Sequence, residues 1–121
     1  MKPEELIKQI NKFAEELDFI TTRKLIEDNL DIMKKQRLHL KNNAREIYNI
    51  IIEREESGKN PISRQDMATL LAINSYAAKF DLRSLKIIIK DKAKLLLRKE
   101  AVDYLNQDAK VILEGMGAIA K

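Results

Sequence analysis

Cysteine and tryptophan are both absent from the 121-residue sequence. Without thiols the chain has no disulfide framework, no thiolate zinc site and no cysteine nucleophile. Glycine and proline are scarce, at three and two residues, whereas sheets with tight hairpins usually need more of both. The composition therefore favours helix.

Long apolar runs are missing as well. The unbroken runs are short, such as 50–52, 87–89 and 95–97, whereas a membrane span needs about 18 or more residues. The first residues, MKPEELIKQ, contain no apolar stretch of the kind that a secretory signal carries. We therefore expect a cytoplasmic protein that has no membrane partner.

Charge is distributed unevenly along the chain, although its excess is modest. The 23 basic and 19 acidic residues give a net charge of +4. Residues 1–62 hold 12 of each sign, whereas residues 63–121 hold 11 basic and 7 acidic residues. The second half therefore carries the whole excess, which permits an anionic partner without requiring one.

Catalytic motifs are not visible. His39 is the only histidine, so the paired spacing of a histidine metal site is missing. The sequence contains no glycine-rich phosphate loop and no H-E-x-x-H pattern. Neighbouring acids such as Glu15 and Glu16 do not face each other on a helix. We therefore predict a non-enzymatic protein with no catalytic residue, no cofactor and no metal.

The first helix is predicted from apolar spacing between Glu4 and Leu17. Pro3 suits its first turn, because the missing N–H has no partner to lose there. Six apolar residues recur at spacings of three and four and share one side of the helix, namely Leu6, Ile7, Ile10, Phe13, Ala14 and Leu17.

Five further helices are predicted from the same spacing together with cap and stop signals. Their predicted starts are Thr21 or Thr22, Asn43 with Glu46, Ser63 with Asp66, Asp81, and Asn106 or Gln107. Their predicted ends are a residue within 36–40, Ser57-Gly58, Phe80, about Lys99 and about Gly115. The apolar tail MGAIAK has no position that the pattern indicates.

A ten-residue stretch of the sequence recurs 63 positions later. INKFAEELDF at 10–19 reappears as INSYAAKFDL at 73–82, and LKNNAREIY at 40–48 reappears as LNQDAKVIL at 105–113. The two blocks keep the same order, and the helix-breaking sequence GKNP at 58–61 lies between the copies. This arrangement indicates an internal duplication.

The predicted fold is therefore all-α, with six helices forming two tandem three-helix repeats that stack into one compact helical-repeat domain. The single domain covers 1–121, with the first repeat unit at 1–58 and the second at 61–121. Each unit buries one apolar side internally, and stacking covers another side.

Two polar residues of the first copy, Asn11 and Asp18, recur in the second copy as Asn74 and Asp81. Asp18 and Asp81 are each predicted to end one helix and cap the next. Asn11 and Asn74 either bond the backbone of a neighbouring loop or face solvent.

A basic stripe is predicted along the fifth helix. Its members are Arg83, Lys86, Lys90, Lys94 and Arg98, spaced by three or four residues. The stripe is typical of a solvated outer face, of a contact with phosphates or of a surface for an acidic protein partner. Ile87 and Leu97 lie close to it, which favours a protein partner.

Residues 62–85, ISRQDMATLLAINSYAAKFDLRSL, resemble the helix-turn-helix of winged bacterial repressors. The matching residues are Ser63, Asp66, Met67, Ala68, Leu70, Leu71, Ile73, Lys79, Asp81, Leu82 and Leu85. The resemblance implies that Ser75 to Leu85 enters the major groove, with Lys79 and Arg83 near phosphates or base edges.

Two features of this segment differ from the repressor pattern. Ala72 stands where the turn favours glycine, and Ile73-Asn74 corresponds to Ile10-Asn11 inside the first helix. The function predicted first is therefore a protein–protein interaction module that binds another protein or a second copy of itself in a homodimer. The alternative is a DNA-binding transcriptional regulator that uses residues 62–85.

Overall fold

The structure, a computed structural model, describes residues 2–53 and 62–120. These residues are helical and contain no strand, which confirms the all-α class. They form nine α-helices and one 3₁₀ turn rather than the six helices predicted. The helices are α1 (Pro3–Glu15), α2 (Phe19–Asp28), α3 (Leu30–Gln36), α4 (Asn42–Glu53), α5 (Arg64–Ala78), α6 (Leu82–Asp91), α7 (Ala93–Leu96), α8 (Lys99–Val102) and α9 (Gln107–Met116), with the 3₁₀ turn at Arg37–His39.

Two of the predicted helices are each broken by one residue. Asn29 separates α2 from α3 with φ −128° and ψ 35°, and Lys92 separates α6 from α7 with φ −124° and ψ 32°. At each break the amide bonds a carbonyl three residues back, at 3.2 Å. Apolar side chains continue on the same side across the break, so their spacing predicted one helix where there are two.

Other helix limits also differ from the prediction. The fifth predicted helix does not reach Lys99, because α7 ends at Leu96 and Arg98 is extended before α8 begins. The third predicted helix begins at Asn42, so Asn43 is its second residue and is buried rather than capping it. The predicted stop at Ser57-Gly58 and the breaker at 58–61 lie outside the described residues.

A left-handed residue and an aspartate form the corner between α1 and α2. Leu17 has φ 66°, and the Asp18 amide bonds the Phe13 carbonyl at 2.9 Å. This bond across five residues closes the end of α1. Asp18 Oδ1 then accepts from the Thr21 amide at 3.2 Å. The cap of α2 is therefore Asp18, while Thr21 is a donor to it and Thr22 is buried inside the helix.

The corner between α5 and α6 has the same construction. Phe80 has φ 55°, and the Asp81 amide bonds the Tyr76 carbonyl at 2.8 Å. Asp81 Oδ1 accepts from the Ser84 amide at 3.2 Å. The hydrogen bonds from the Ser84 side chain and backbone lower the pKa of Asp81, with a smaller contribution from nearby cations. The prediction that Asp18 and Asp81 cap helices is confirmed.

Asn11 and Asn74 each hold the chain that leads into a later helix. Each side-chain amide donates to one backbone carbonyl, and each side-chain oxygen accepts from a backbone amide two residues further on. The bonds are Asn11 to His39 O (3.1 Å), Lys41 N to Asn11 (3.0 Å), Asn74 to Tyr104 O (2.9 Å) and Asn106 N to Asn74 (2.8 Å). Of the two roles left open for these asparagines, the structure therefore shows that each bonds the backbone of a neighbouring loop.

Asn74→Ala is expected to lower the free energy of unfolding by about 2 kcal/mol, since two hydrogen bonds worth about 1 kcal/mol each are lost. Asn11→Ala should cost a similar amount. Ser75→Ala, on the exposed side of the same helix, is the control and should change stability by less than about 0.5 kcal/mol. Urea denaturation followed by circular dichroism measures all three. If the asparagine variants match the control, the two bonds do not hold the chain.

The core is filled mainly by branched aliphatic side chains from both halves of the chain. In the first half α1 packs against α2 and α4, and in the second half α5 packs against α6 and α9, while α4 and α7 join the halves. The largest fully buried apolar side chains are Phe19, Ile10, Ile26, Met33, Leu40, Ile47, Leu70, Ile73, Leu85, Ile89 and Leu113.

The apolar tail returns to the first half. Gly117, with φ 85°, ends α9, and the Ala118 amide bonds the Leu113 carbonyl at 2.9 Å. The Gly117 carbonyl accepts from the Ile20 amide at 3.0 Å. Ala118 and Ile119 are buried. The tail therefore packs against the start of α2 and forms a second connection between the halves.

Candidate groove between α1 and α6

The basic stripe lies on two helices and on the extended residue before a third, instead of on one helix. The break at Lys92 divides it, and Arg98 lies beyond α7 at the start of α8. Four members are exposed and the last is half-buried: Arg83, Lys86 and Lys90 on α6, Lys94 on α7, and Arg98. Only the α6 members therefore follow one another along a single helix.

Arg98 has a partner in its own segment. Its Nη2 and Nε lie 2.6 and 2.8 Å from Glu100 Oε1. Both side chains are mostly covered, so solvent screens this pair less than a fully exposed one. Arg98 therefore belongs to the local structure around α8.

A groove runs between the end of α1 and the middle of α6, with a volume of about 330 Å³. One wall carries acidic side chains, the other carries basic ones, and apolar side chains lie between them. The lining residues are Glu15, Glu16 and Leu17 from the end of α1, Lys86, Ile87 and Lys90 from α6, and Met116 from α9.

Ile87 is the most accessible apolar side chain of the groove. It is 59% exposed, whereas Leu17 opposite it is only 5% exposed. Lys86 and Lys90 flank it on α6 at distances of one and three residues. An exposed branched side chain with charged neighbours is typical of the centre of a protein contact and its polar rim.

The groove is part of a longer boundary between the two halves, here called the seam, which continues on both sides of the groove. Glu15 and Lys90 also line a polar cleft together with Asn11 and the start of α4. Further along, Glu46 of α4 lies in a cleft with Lys94. These clefts thus bring Glu15 and Glu46 of the first half near Lys90 and Lys94 of the second half, and they are also lined by Lys41, Asp66 and Asp91.

Sequence reasoning found the basic wall of the groove but missed the acidic one. The sequence indicates only that Glu15 and Glu16 do not face each other on a helix, and Met116 belongs to the tail without a predicted position. One available signal was the change in charge between the copies, since Lys79 occupies the position of Glu16 in the second half.

The segment that resembles a helix-turn-helix is built differently. Ser63 Oγ accepts from the Asp66 amide at 3.0 Å, so the predicted start of this helix is confirmed. From there α5 runs unbroken from Arg64 to Ala78, through Ala72–Asn74, where the motif needs its turn. Residues 75–85 comprise the end of α5, the left-handed corner and the start of α6.

Across 2–53 and 62–120, no three or more histidine, cysteine, aspartate or glutamate side chains are grouped as metal ligands. In the same residues no helix combines the length and apolar character that crossing a membrane requires. Comparison of the chain with models of protein families, with curated proteins and with solved structures finds no significant match.

Proposed function

We propose that the protein is a non-enzymatic protein–protein interaction module built from two tandem three-helix repeats. The repeats occupy 1–58 and 61–121, and the seam between them forms the groove between α1 and α6. A partner protein binds in this groove.

Matching backbone features support the repeat. The left-handed corner at Leu17 recurs at Phe80, and the aspartate cap that follows it recurs as well. The break after α2 has nearly the same dihedral angles as the break after α6. Because neither left-handed corner uses glycine, each costs about 1–2 kcal/mol. Two such corners without glycine, each followed by an aspartate cap and 63 positions apart, are expected of copied units.

The exposure of Ile87 is the observation that carries the binding proposal. In the first half its position is held by Lys24, which is the residue type expected on a solvated face. Ile87 instead places an apolar group beside an open groove, where a partner gains free energy by covering it.

The groove indicates the chemistry of the partner. Lys86 and Lys90 suit carboxylates on one edge of an incoming segment, and Glu15 with Glu16 suits a cation on the other edge. An amphipathic helix with apolar residues on one side and opposite charges along its two borders has this pattern. Burying Ile87 supplies affinity, and the charged walls fix orientation.

Ile87→Asp is expected to abolish binding of such a partner, since it places a carboxylate at the centre of the contact. Immobilised protein should retain one cellular protein that the variant does not retain. Leu38→Asp is the matched control, because Leu38 is 77% exposed and is not among the residues that line the groove between α1 and α6. Circular dichroism should show equal helix content in both variants.

Two results separate this proposal from the DNA-binding alternative. If Ile87→Asp and the control retain the same proteins as the unchanged chain, the groove is not the binding surface. If the protein instead retards random duplex DNA at low salt, and added salt removes that affinity steeply, the regulator is favoured. Lys90→Glu combined with Lys94→Glu should then abolish the retardation.

A further inference from the structure

Each half of the chain contacts the other half through one face, and the corresponding face of the other half is then left without a contact. Within the chain, α4 packs against α7 of the second half, and the end of α1 lines a groove together with α6. The corresponding face on α5 and α9, here called the distal face, has no second half to cover it. The corresponding surface on α2 and α3, here called the proximal face, includes the exposed side chains of Glu27 and Asp31 and also has no second half against it.

Corresponding residues differ in burial as this arrangement requires. Leu17, which lines the groove with α6, is 5% exposed, whereas Phe80, at the same position of the second half, is 69% exposed. Glu46 is half-buried beside α7, whereas Val111 at its position in α9 is 56% exposed. The distal face therefore presents two large apolar side chains where the first half is covered.

The backbone conformation of Phe80 costs free energy, although its side chain contacts little within its own chain. Its backbone is left-handed, with φ 55°, a conformation that glycine would adopt without strain. The left-handed backbone forms the corner before α6, but the exposed aromatic side chain buries little apolar surface within its own chain. Local strain of this kind concentrates at sites that bind.

The charges on the two uncovered faces are reversed relative to those between the halves. Inside the chain, carboxylates of the first half face Lys86, Lys90 and Lys94. On the distal face Lys79 takes the position of Glu16, and on the proximal face Glu27 and Asp31 take the positions of Lys90 and Lys94. These changes invert the sign, whereas Arg23, at the position of Lys86, stays positive and pairs with Glu27 at 2.6 Å. The complementarity of the uncovered faces therefore rests on Lys79 against Glu27 and Asp31.

We propose that the distal face of one molecule binds the proximal face of a second copy of this chain, head to tail. The contact repeats between molecules the arrangement that joins the halves within one molecule. It rests on the proposed repeat but uses neither Ile87 nor the groove. Because the two faces are different, a pair of bound molecules still has one free distal face and one free proximal face. Association therefore continues into open chains or closes into a ring.

Sedimentation velocity over a concentration series tests the proposal. The unchanged chain should show a sedimentation coefficient that rises with concentration and falls with added salt. Phe80→Gly should remain monomeric with full helix content, since it removes the apolar contact and relieves the left-handed backbone. Lys8→Glu, on a helix that belongs to neither face, is the control and should associate like the unchanged chain.

A charge exchange identifies which faces meet. Lys79→Glu alone, and Glu27→Lys with Asp31→Lys in another chain, should each raise the apparent Kd at least about tenfold through like-charge repulsion. An equimolar mixture of these two variants should associate again, because each reversed face then meets an opposite charge. The triple variant should also associate by itself.

Three outcomes would overturn the proposal: a monomer at every concentration, association that Phe80→Gly leaves unchanged, or no recovery in the mixture. The last would indicate a two-fold dimer in which like faces meet. None of these outcomes bears on capture of another protein by the groove, which Ile87→Asp tests separately.

Discussion

Gly117→Ala is expected to lower the free energy of unfolding by about 3 kcal/mol. A side chain at φ 85° costs about 1–2 kcal/mol. The added Cβ would also overlap the Oδ1 and Cγ atoms of Asp18. Since Asp18 caps α2, displacing its carboxylate costs about 1 kcal/mol more. One methyl group near the end of the chain thus disturbs the first corner of the fold.

Gly115→Ala is the matched control for this substitution. Gly115 lies inside α9, and a Cβ there meets no atom within 4 Å. Replacing a helical glycine by alanine should raise stability by about 1 kcal/mol. Urea denaturation of both variants should therefore give shifts of opposite sign. If Gly117→Ala proves as stable as Gly115→Ala, the tail does not pack against the α1–α2 corner.

Ile10→Ala and Ile73→Ala should each lower the free energy of unfolding by about 3 kcal/mol. Both side chains are fully buried, so truncation loses apolar burial and leaves a cavity. They occupy corresponding positions in the middle of α1 and α5, and their surroundings are built from corresponding helices. The two costs should therefore agree more closely than those of two unrelated core isoleucines.

Leu38→Ala serves as the control for these truncations, because the side chain is exposed and should cost less than about 0.5 kcal/mol. Thermal unfolding followed by far-UV circular dichroism compares the three variants. If Ile73→Ala behaves like the control, α5 does not pack as α1 does.

Much of the fold was predictable from local sequence because the relevant signals are short-range. The apolar spacing of α1 and α5, the cap at Asp81 and the continuity of α5 through Ala72 were all predicted, and the structure has them. The recurrence of Asp18 also identified the correct cap for α2, where propensity alone favoured Thr21 or Thr22. The sequence thus offered Asp18 as well as Thr21 or Thr22 for this cap, and the structure has it at Asp18.

The features that were missed depend on contacts between distant segments. A single-residue break at Asn29 or Lys92 leaves the apolar spacing intact, so periodicity does not register it. The position of the tail depends on the Gly117 carbonyl meeting the Ile20 amide, a contact between residues nearly a chain length apart. The acidic wall of the groove likewise appears only when α1 and α6 lie side by side.

Distance measurements between spin labels test most directly the claim that the two halves have one shape. Because the chain has no cysteine, two introduced cysteines can be labelled without background. Lys12 with Arg45 and Ser75 with Lys110 are corresponding pairs on α1–α4 and α5–α9. Double electron–electron resonance should give the same distance distribution for both pairs. Maxima that differ by more than about one helical turn, 5.4 Å, would contradict the account.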